Sequence, residues 1–435
     1  MRKWNLSNRE KGITQAMNTK VNYRTIFAQK EYMKIVLAAI INRFGDSVDA
    51  VAYTWLVYEL TGNAGWSALI FGLNKLPSVF VTPFAGAWVE EHKKKQVMIV
   101  TDLIRAVCVA AIATTYLYGV LHPWLLVVTT LVISTVEAFR GPASTALTPQ
   151  VLKKEYYEYG MSLVSSATTV VEIVGTAAAA GIIAVIGTSG AIYVDMATFL
   201  LSAAVIVTLK VKEDNLQTTA FDLVAYKSTF TEGVGYVCKN SRLVFLVGAC
   251  IFLNAILVPF NSLQAPLVQE ILGGGAEVLS ILSIAVMAGM LLGSITYPMV
   301  RSHMTGRTLV VAGGMGIGIY YILLVAGKPL YDSMWKVYLI AAVMSVLFGC
   351  FITLLMSYVQ VEFVKQTDEQ FLARAAAIMT SFSAAATPVT SFLVSALAVQ
   401  ISTEYIFLAA GLLDVVGCGC MMFSKLLAEE ETVPA

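Results

Sequence analysis

The chain has 435 residues, of which 57% are hydrophobic and only 13% charged, against about 45–50% apolar and about 25% charged in an ordinary soluble protein. So little charge cannot cover the water-facing surface of a chain this long, which excludes a soluble multidomain enzyme and a disordered chain. Lys and Arg number 29 and Asp and Glu 28, a net charge of +1 that gives no basis for a nucleic-acid partner.

Residues 1–33 read as a basic cytoplasmic arm with Arg2, Lys3, Arg9, Lys11, Lys20, Arg24 and Lys30. No short apolar run with a small-residue cleavage site follows, so the arm is not a signal peptide; either Met1 or Met17 can be the natural start. A helix needs about 20 apolar residues to cross a hydrocarbon core of about 30 Å. Six such stretches fill 34–210, near 34–60, 65–89, 96–119, 123–143, 158–187 and 190–210. A polar linker, 211–242, comes next. Its stretch Phe221 to Val237 has apolar residues at helical spacing and is expected to lie along the membrane surface. Six further stretches fill 243–424, near 243–271, 277–300, 307–327, 335–360, 372–400 and 404–424, and 425–435 is a tail.

The loop bases fix an orientation. With the amino terminus inside, the loop lysines and arginines fall on the inner side, save Lys328 and Lys336. The expectation is a multi-pass protein of the cell membrane with both termini cytoplasmic, working as a monomer in the lipid bilayer. Five of the six cysteines sit in apolar runs and read as reduced packing residues, and three histidines give no metal-ligand spacing. No metal and no cofactor is expected. The Gly-rich runs at 273–275 and 313–318 lack the Lys–Ser/Thr of a phosphate loop, so no use of ATP is expected either.

The two halves match at a constant offset of 211: Val89 with Val300, His92 with His303, and Trp124 with Trp335. That supports an all-α membrane protein of twelve transmembrane helices in two pseudo-symmetric six-helix halves. Duplicated bundles of this kind hold their substrate near the midplane, between the repeats.

Charges inside a span are costly, so they face the interior, pair or work. Span 1 holds the densest set. Asn42, Asp46, Asp49 and Tyr53 share one helical face, with Arg43 beside them. Holding two carboxylates ionised three residues apart and away from water is expensive, which makes Asp46 and Asp49 proton-coupling candidates. A fixed ion pair with Arg43 or with Lys75 of span 2, next to Asn74, is the competing account. Glu172, in span 5, is the next coupling candidate; Gly175 and Gly181 after it allow a close helix contact instead. Glu137 and Arg140 stand three apart in span 4, the spacing of a local salt bridge, and Glu137 is kept as a cavity candidate. Asp195 is placed nearer the outer side. In the second half Asn254, Asn261 and Gln264 share roughly one face of span 7, and Asp414 is central in span 12. Acids on one side and amides with aromatic surface on the other suit a large amphiphile, cations included, as the small-molecule substrate. An intramembrane hydrolase would need Ser–His or His clusters at membrane depth, and none is present.

Four passages carry a family resemblance: "FGDSVDAVAYTWLVYELTGN" at 44–63, "GAWVEEHKKKQVMIVTDLIRA" at 86–106, "GPASTALTPQVLKKE" at 141–155 and "DEQFLARAAAIMTS" at 368–381. With the six-plus-six plan they resemble the major facilitator superfamily, and within it the twelve-span drug exporters that include macrolide efflux proteins. The resemblance implies the major facilitator fold, no enzyme activity, and export of drug-like amphiphiles in exchange for protons. The alternative on the same fold is a lipid, siderophore or metabolite carrier without coupling. The resemblance also implies an inner latch at Glu90, Lys94, Lys95, Asp102 and Arg105. Two departures stand: Glu91 where the family has Arg, and Gly175-Thr176 where its antiporters have Gly-Pro.

Overall fold

The computed structural model describes residues 26–152, 156–211, 213, 223–368 and 371–421. Most of the basic arm, Lys153 and Lys154, Phe221 and the tail from 425 therefore lie outside the described residues. Within them every regular element is helical.

The first helix, α1 (Lys30–Thr61), stops at Gly62, whose φ of 59° suits only a residue without Cβ and whose N–H returns to Tyr58 O. The next begins at once: Asn63 caps α2 (Ala64–Phe80) by accepting the Gly65 N–H. Span 2 differs from the single stretch expected at 65–89. It is completed by α3 (Thr82–Glu90) across a bend of 57°. Then come α4 (Lys94–Leu117) and α5 (Pro123–Val151). Spans 5 and 6 form one helical run, α6 (Tyr157–Val207), turned sharply at Gly187 (φ 74°, ψ 172°). The expected break at 187–190 is thus a corner made by one glycine, with no loop around it.

A linker helix, α7 (Leu223–Lys239), leads into α8 (Ser241–Ser262). The second half continues with α9 (Ala276–His303), α10 (Gly306–Ala326), α11 (Met334–Gln366), α12 (Leu372–Ala398) and α13 (Thr403–Met421). Among the described residues nine helices are individually long and apolar enough to cross a membrane, α6 counted once, and the bent pair α2–α3 makes a tenth. The corner in α6 divides it into two crossings. The remaining crossing is α1, which Arg43, Asp46 and Asp49 make too charged to pass on composition alone.

The duplication has structural counterparts at the same offset. Gly62 and Gly273 both close a helix with positive φ, at 59° and 65°. His92 Nδ1 contacts Trp88 O at 2.7 Å, and His303 Nδ1 contacts Met299 O at 2.9 Å. Trp124 and Trp335 are each the second residue of their helix.

Glycines set the close contacts. A Cβ on Gly45 would collide with Asp195 and Thr198, and one on Gly175 with Ser47, so α1 seats against both arms of α6. Between the halves, α2 meets α12 at the end away from Lys93–Lys95. There Ser391 Oγ donates to Ala68 O at 2.6 Å and Ser395 Oγ to Gly65 O at 2.8 Å. Tyr58 OH donates to Glu270 Oε1 at 2.5 Å at the same end.

Candidate functional site

Between the halves lies a cavity of about 530 Å³. Its charged wall comes from α1, α4, α5 and α6. Asp46 is held by Arg105, whose Nη2 donates to Oδ1 at 2.6 Å. Arg105 is 5% exposed and its guanidinium carbon lies 4.0 Å from the centroid of the Phe199 ring, so it is fixed from two sides. One turn along α1, the buried Asp49 Oδ1 has no hydrogen-bond partner. Asp195, 1% exposed, reaches the same cavity from α6, with the Thr198 hydroxyl 3.3 Å from its Oδ1. The helices therefore gather three aspartates around one arginine.

This corrects the expected neutralisation of the span 1 acids by Arg43 or Lys75. Arg43 Nη1 is 3.9 Å from Glu172 Oε2, a loose pair at the cavity rim, half exposed on both sides. Lys75 Nζ stands 5.7 Å from the centroid of the Phe71 ring. The cation that reaches Asp46 belongs to span 3, where sequence spacing gives no hint of it. Asp195 was not among the site candidates because the charges it joins, Asp46, Asp49 and Arg105, lie on other helices; the small Gly45, which lets α6 approach, is the signal that was available.

A second charged layer sits one turn below on α4. Asp102 is fully buried and receives Arg140 Nε at 2.5 Å, Arg140 Nη2 at 3.3 Å, Ser202 Oγ at 2.7 Å and Asn42 Nδ2 at 3.4 Å. A carboxylate with no water must have a cation and hydrogen bonds. That requirement overrides three expectations. Asn42 turns to Asp102 and does not line the cavity. Arg140 leaves Glu137, so their local salt bridge is not made. Asp102 and Arg105 belong to these two interior layers, and neither joins the inner latch.

The remaining latch residues gather at the start of α4. Glu213 accepts the Lys94 N–H at 2.6 Å and the Lys95 N–H at 3.0 Å, capping the helix with a negative charge. Lys94 Nζ donates to Glu90 O at 2.8 Å, and Lys95 Nζ to Val207 O and Leu209 O at 2.8 Å each. Glu213 was not among the sequence candidates; an acid within the basic start of the linker was its signal.

The facing wall comes from the second half. Phe260, Asn261, Gln264 and Met287 line the cavity, as do Tyr53, Asn74, Lys75, Glu137 and Glu172 of the first half. Tyr53 also ties α1 to α5, its hydroxyl 2.7 Å from Thr130 Oγ1 and 3.2 Å from Leu126 O. Two candidates fall elsewhere. Asn254 spends its amide on Cys250 O at 2.9 Å, within its own helix. Asp414 is fully buried and accepts from Cys418 Sγ at 3.4 Å, in the seam where Gly411 packs on Gly318. Ser67, by contrast, lines the cavity without having been singled out, 6% exposed and with its hydroxyl unpartnered. Among the described residues no group of three or more His, Cys, Asp or Glu is arranged to hold a metal ion.

A family model described as "Transmembrane secretion effector" matches residues 24–434. Macrolide efflux protein A of Streptococcus pyogenes is 22% identical over 412 residues, which is 94% of this chain and 97% of that protein. Multidrug efflux pump Tap of Mycobacterium bovis (strain BCG / Pasteur 1173P2) is 23% identical over 390 residues, 87% of this chain and 89% of that protein. Among solved structures, a mutant of nucleoside transporter NupG superposes with a TM-score of 0.73 at 12% identity, covering 91% of this chain and all of that one. The last likeness concerns the fold alone.

Proposed function

This chain belongs to the transmembrane secretion effector family of the major facilitator superfamily, and from that premise we propose that it exports amphiphilic, drug-like compounds in exchange for protons. It is a multi-pass membrane transporter and not an enzyme. In the proposal the lysine-bearing end faces the cytoplasm together with both termini, and a single copy is the working unit.

The observation that carries the reading is the gathering of three cavity aspartates, Asp46, Asp49 and Asp195, around the single guanidinium of Arg105. Arg105 satisfies Asp46 only. A proton leaving Asp49 or Asp195 bares a second carboxylate, towards which Arg105 turns from Asp46. A proton returning restores the Asp46 pair. Because Asp46 and Asp49 are on α1, Arg105 on α4 and Asp195 on α6, that exchange shifts helices against one another within one half. The far end is closed by Ser391, Ser395 and Tyr58, so the cavity takes its cargo from the basic end. Rocking the halves then opens it to the other side. The apolar and amide wall of Phe260, Asn261 and Gln264 suits a cargo that is neither wholly polar nor wholly apolar.

The test is export from proteoliposomes against a compound panel, with an imposed proton gradient and without, for the wild type, Asp46→Asn and Asp49→Asn. The expected result is gradient-driven export accompanied by counterflow of protons, with each variant losing about tenfold or more of the rate: at Asp46 the scale of a lost charge-assisted hydrogen bond, at Asp49 through the loss of an ionisable group. If both variants export like the wild type, these aspartates are not the coupling residues. Export with no proton movement removes antiport.

A further inference from the structure

The duplication sets Glu270 opposite Glu59, each just before a glycine of positive φ, Gly273 and Gly62. Both carboxylates are exposed at the end away from Lys93–Lys95, and both accept a tyrosine hydroxyl. The two bonds differ in what they join. Tyr116 of α4 donates to Glu59 Oε2 at 3.1 Å, within the first half. Tyr58 of α1 donates to Glu270 Oε1 at 2.5 Å, across the halves. Rocking the halves leaves the first bond intact and must break the second. Glu270 is firmly placed for this. It stands on a π-helical turn, Leu267–Leu272, whose Leu267, Val268, Ile271 and Leu272 are buried, and Tyr58 is 7% exposed. The acids on the neighbouring elements are bonded elsewhere: Glu404 of α13 to Lys328, and Glu277 of α9 to the Gly275 N–H.

We propose that Glu270 is a regulatory proton-binding site at the far end: a proton taken from the medium on that side weakens the Tyr58 bond and shifts the transporter towards its far-open state. The inference rests on the transport reading above and adds a proton separate from those exchanged in the cavity. Its sign follows from the geometry. With Glu270 ionised, the closed state holds a charge-assisted bond, whereas in the far-open state the carboxylate faces water. Protonation therefore costs the closed state more, so that bond's contribution to closure is present at neutral pH and lost on acidification. By linkage the far-open state binds this proton more tightly. The difference between a charged and a neutral acceptor moves the ratio of states about fivefold to tenfold. Glu59 has no such linkage, because its partner moves with it. The site opens the far end where protons for exchange are plentiful and keeps it shut where they are scarce.

The experiment reads the far end directly, in lipid nanodiscs with no gradient. Spin labels are attached to cysteines placed at Val120 and Ser402, exposed positions between helices in the first and second half. Cys108, Cys238, Cys350 and Cys420 are first replaced by serine, and the buried Cys250 and Cys418 are kept. The distance distribution between the labels gives the far-open fraction from about pH 8 to about pH 4, which spans carboxylate ionisation. The expected result is that the fraction rises on acidification in wild type. In Glu270→Gln it is already raised at the alkaline end, and its rise is smaller by about fivefold to tenfold; what remains belongs to the cavity aspartates. Tyr58→Phe is expected to match Glu270→Gln, and Glu59→Gln to match wild type. The proposal is overturned by a wild-type fraction that ignores pH, by a response retained in full in Glu270→Gln or in Tyr58→Phe, or by one lost equally in Glu59→Gln. If Glu270→Gln loses the response while export ignores the proton gradient, the antiport reading fails and the regulatory site stands.

Discussion

The two halves solve the same packing problem with opposite chemistry. At the offset of 211, Asp49 corresponds to Phe260, Glu137 to Phe348, Arg105 to Gly316 and Arg140 to Phe351. In the first half these positions hold the carboxylates and guanidiniums of the two charged layers. In the second, three of the four hold rings and the fourth is a glycine against which one of them packs. Phe260 lies 4.9 Å from Phe348, centroid to centroid, Phe348 stacks on Tyr320 at 4.2 Å, and Phe351 rests against Gly316. Rings packed this way have one good arrangement. Charges shared among several partners have more than one. The comparison teaches that the duplicated bundle concentrates its exchangeable charges in one half and uses the other as a firm wall; in the proposed function it is a proton that selects among the arrangements.

The sharpest way to break this comparison is to delete one charge from the deeper layer. Arg140→Leu leaves Asp102 fully buried without its cation, and about 3–5 kcal/mol of stability is expected to go with it. Thermal unfolding in detergent checks the loss. The double variant with Asp102→Leu is expected to recover most of it, because an apolar pair replaces a buried ion pair at little cost. If the single variant is as stable as wild type, the layer is not structurally paired.

Arg105→Leu acts on the upper layer and is expected to cost less, about 1.5–3 kcal/mol, since Asp46 is partly open to the cavity and can be hydrated. Its effect on export is the larger readout: gradient-driven transport is expected to vanish while the protein remains monodisperse. The mirror experiment in the second half is Phe348→Leu, which stays apolar. It is expected to cost about 1 kcal/mol in unfolding assays and to leave the proton-to-cargo ratio as in wild type. A change in that ratio would show that the aromatic half takes part in coupling.

Span number, the duplication and the face shared by Asp46, Asp49 and Tyr53 were legible because each depends on neighbours in sequence: a run of apolar residues, a fixed offset, a helical period. What could not be read was pairing across helices. Arg105 looks like a latch residue because it follows Lys94, Lys95 and Asp102 in one charged passage, and Arg140 looks like a partner of Glu137 from spacing alone. Only the juxtaposition of α1, α4, α5 and α6 reveals that Asp102 takes Arg140 and that Asp46 takes Arg105. Asp414 failed for a related reason. A central acid in a span is equally compatible with a cavity and with a helix seam, and the glycines Gly318 and Gly411, which make the seam, are far apart in sequence.

The smallest expected effect concerns the seam where the unlike halves meet. Ser391 and Ser395 are one turn apart on α12, and each gives its hydroxyl proton to a backbone carbonyl of α2 that already belongs to a helix. Such bonds between membrane helices are worth about 0.6 kcal/mol each. Removing both, as Ser391→Ala with Ser395→Ala, therefore shifts the balance between the far-closed and far-open states by about 1.2 kcal/mol, close to tenfold in population. Van der Waals contact through Gly65 and Gly72 keeps the closed state available. The check is the labelling rate of a cysteine placed at Ser67, inside the cavity, by a reagent that cannot cross the membrane and is supplied from the far side. A rate about tenfold faster in the double variant is expected. An unchanged rate would mean that the halves are held closed by glycine packing alone, and the polar contribution to this seam would then be negligible.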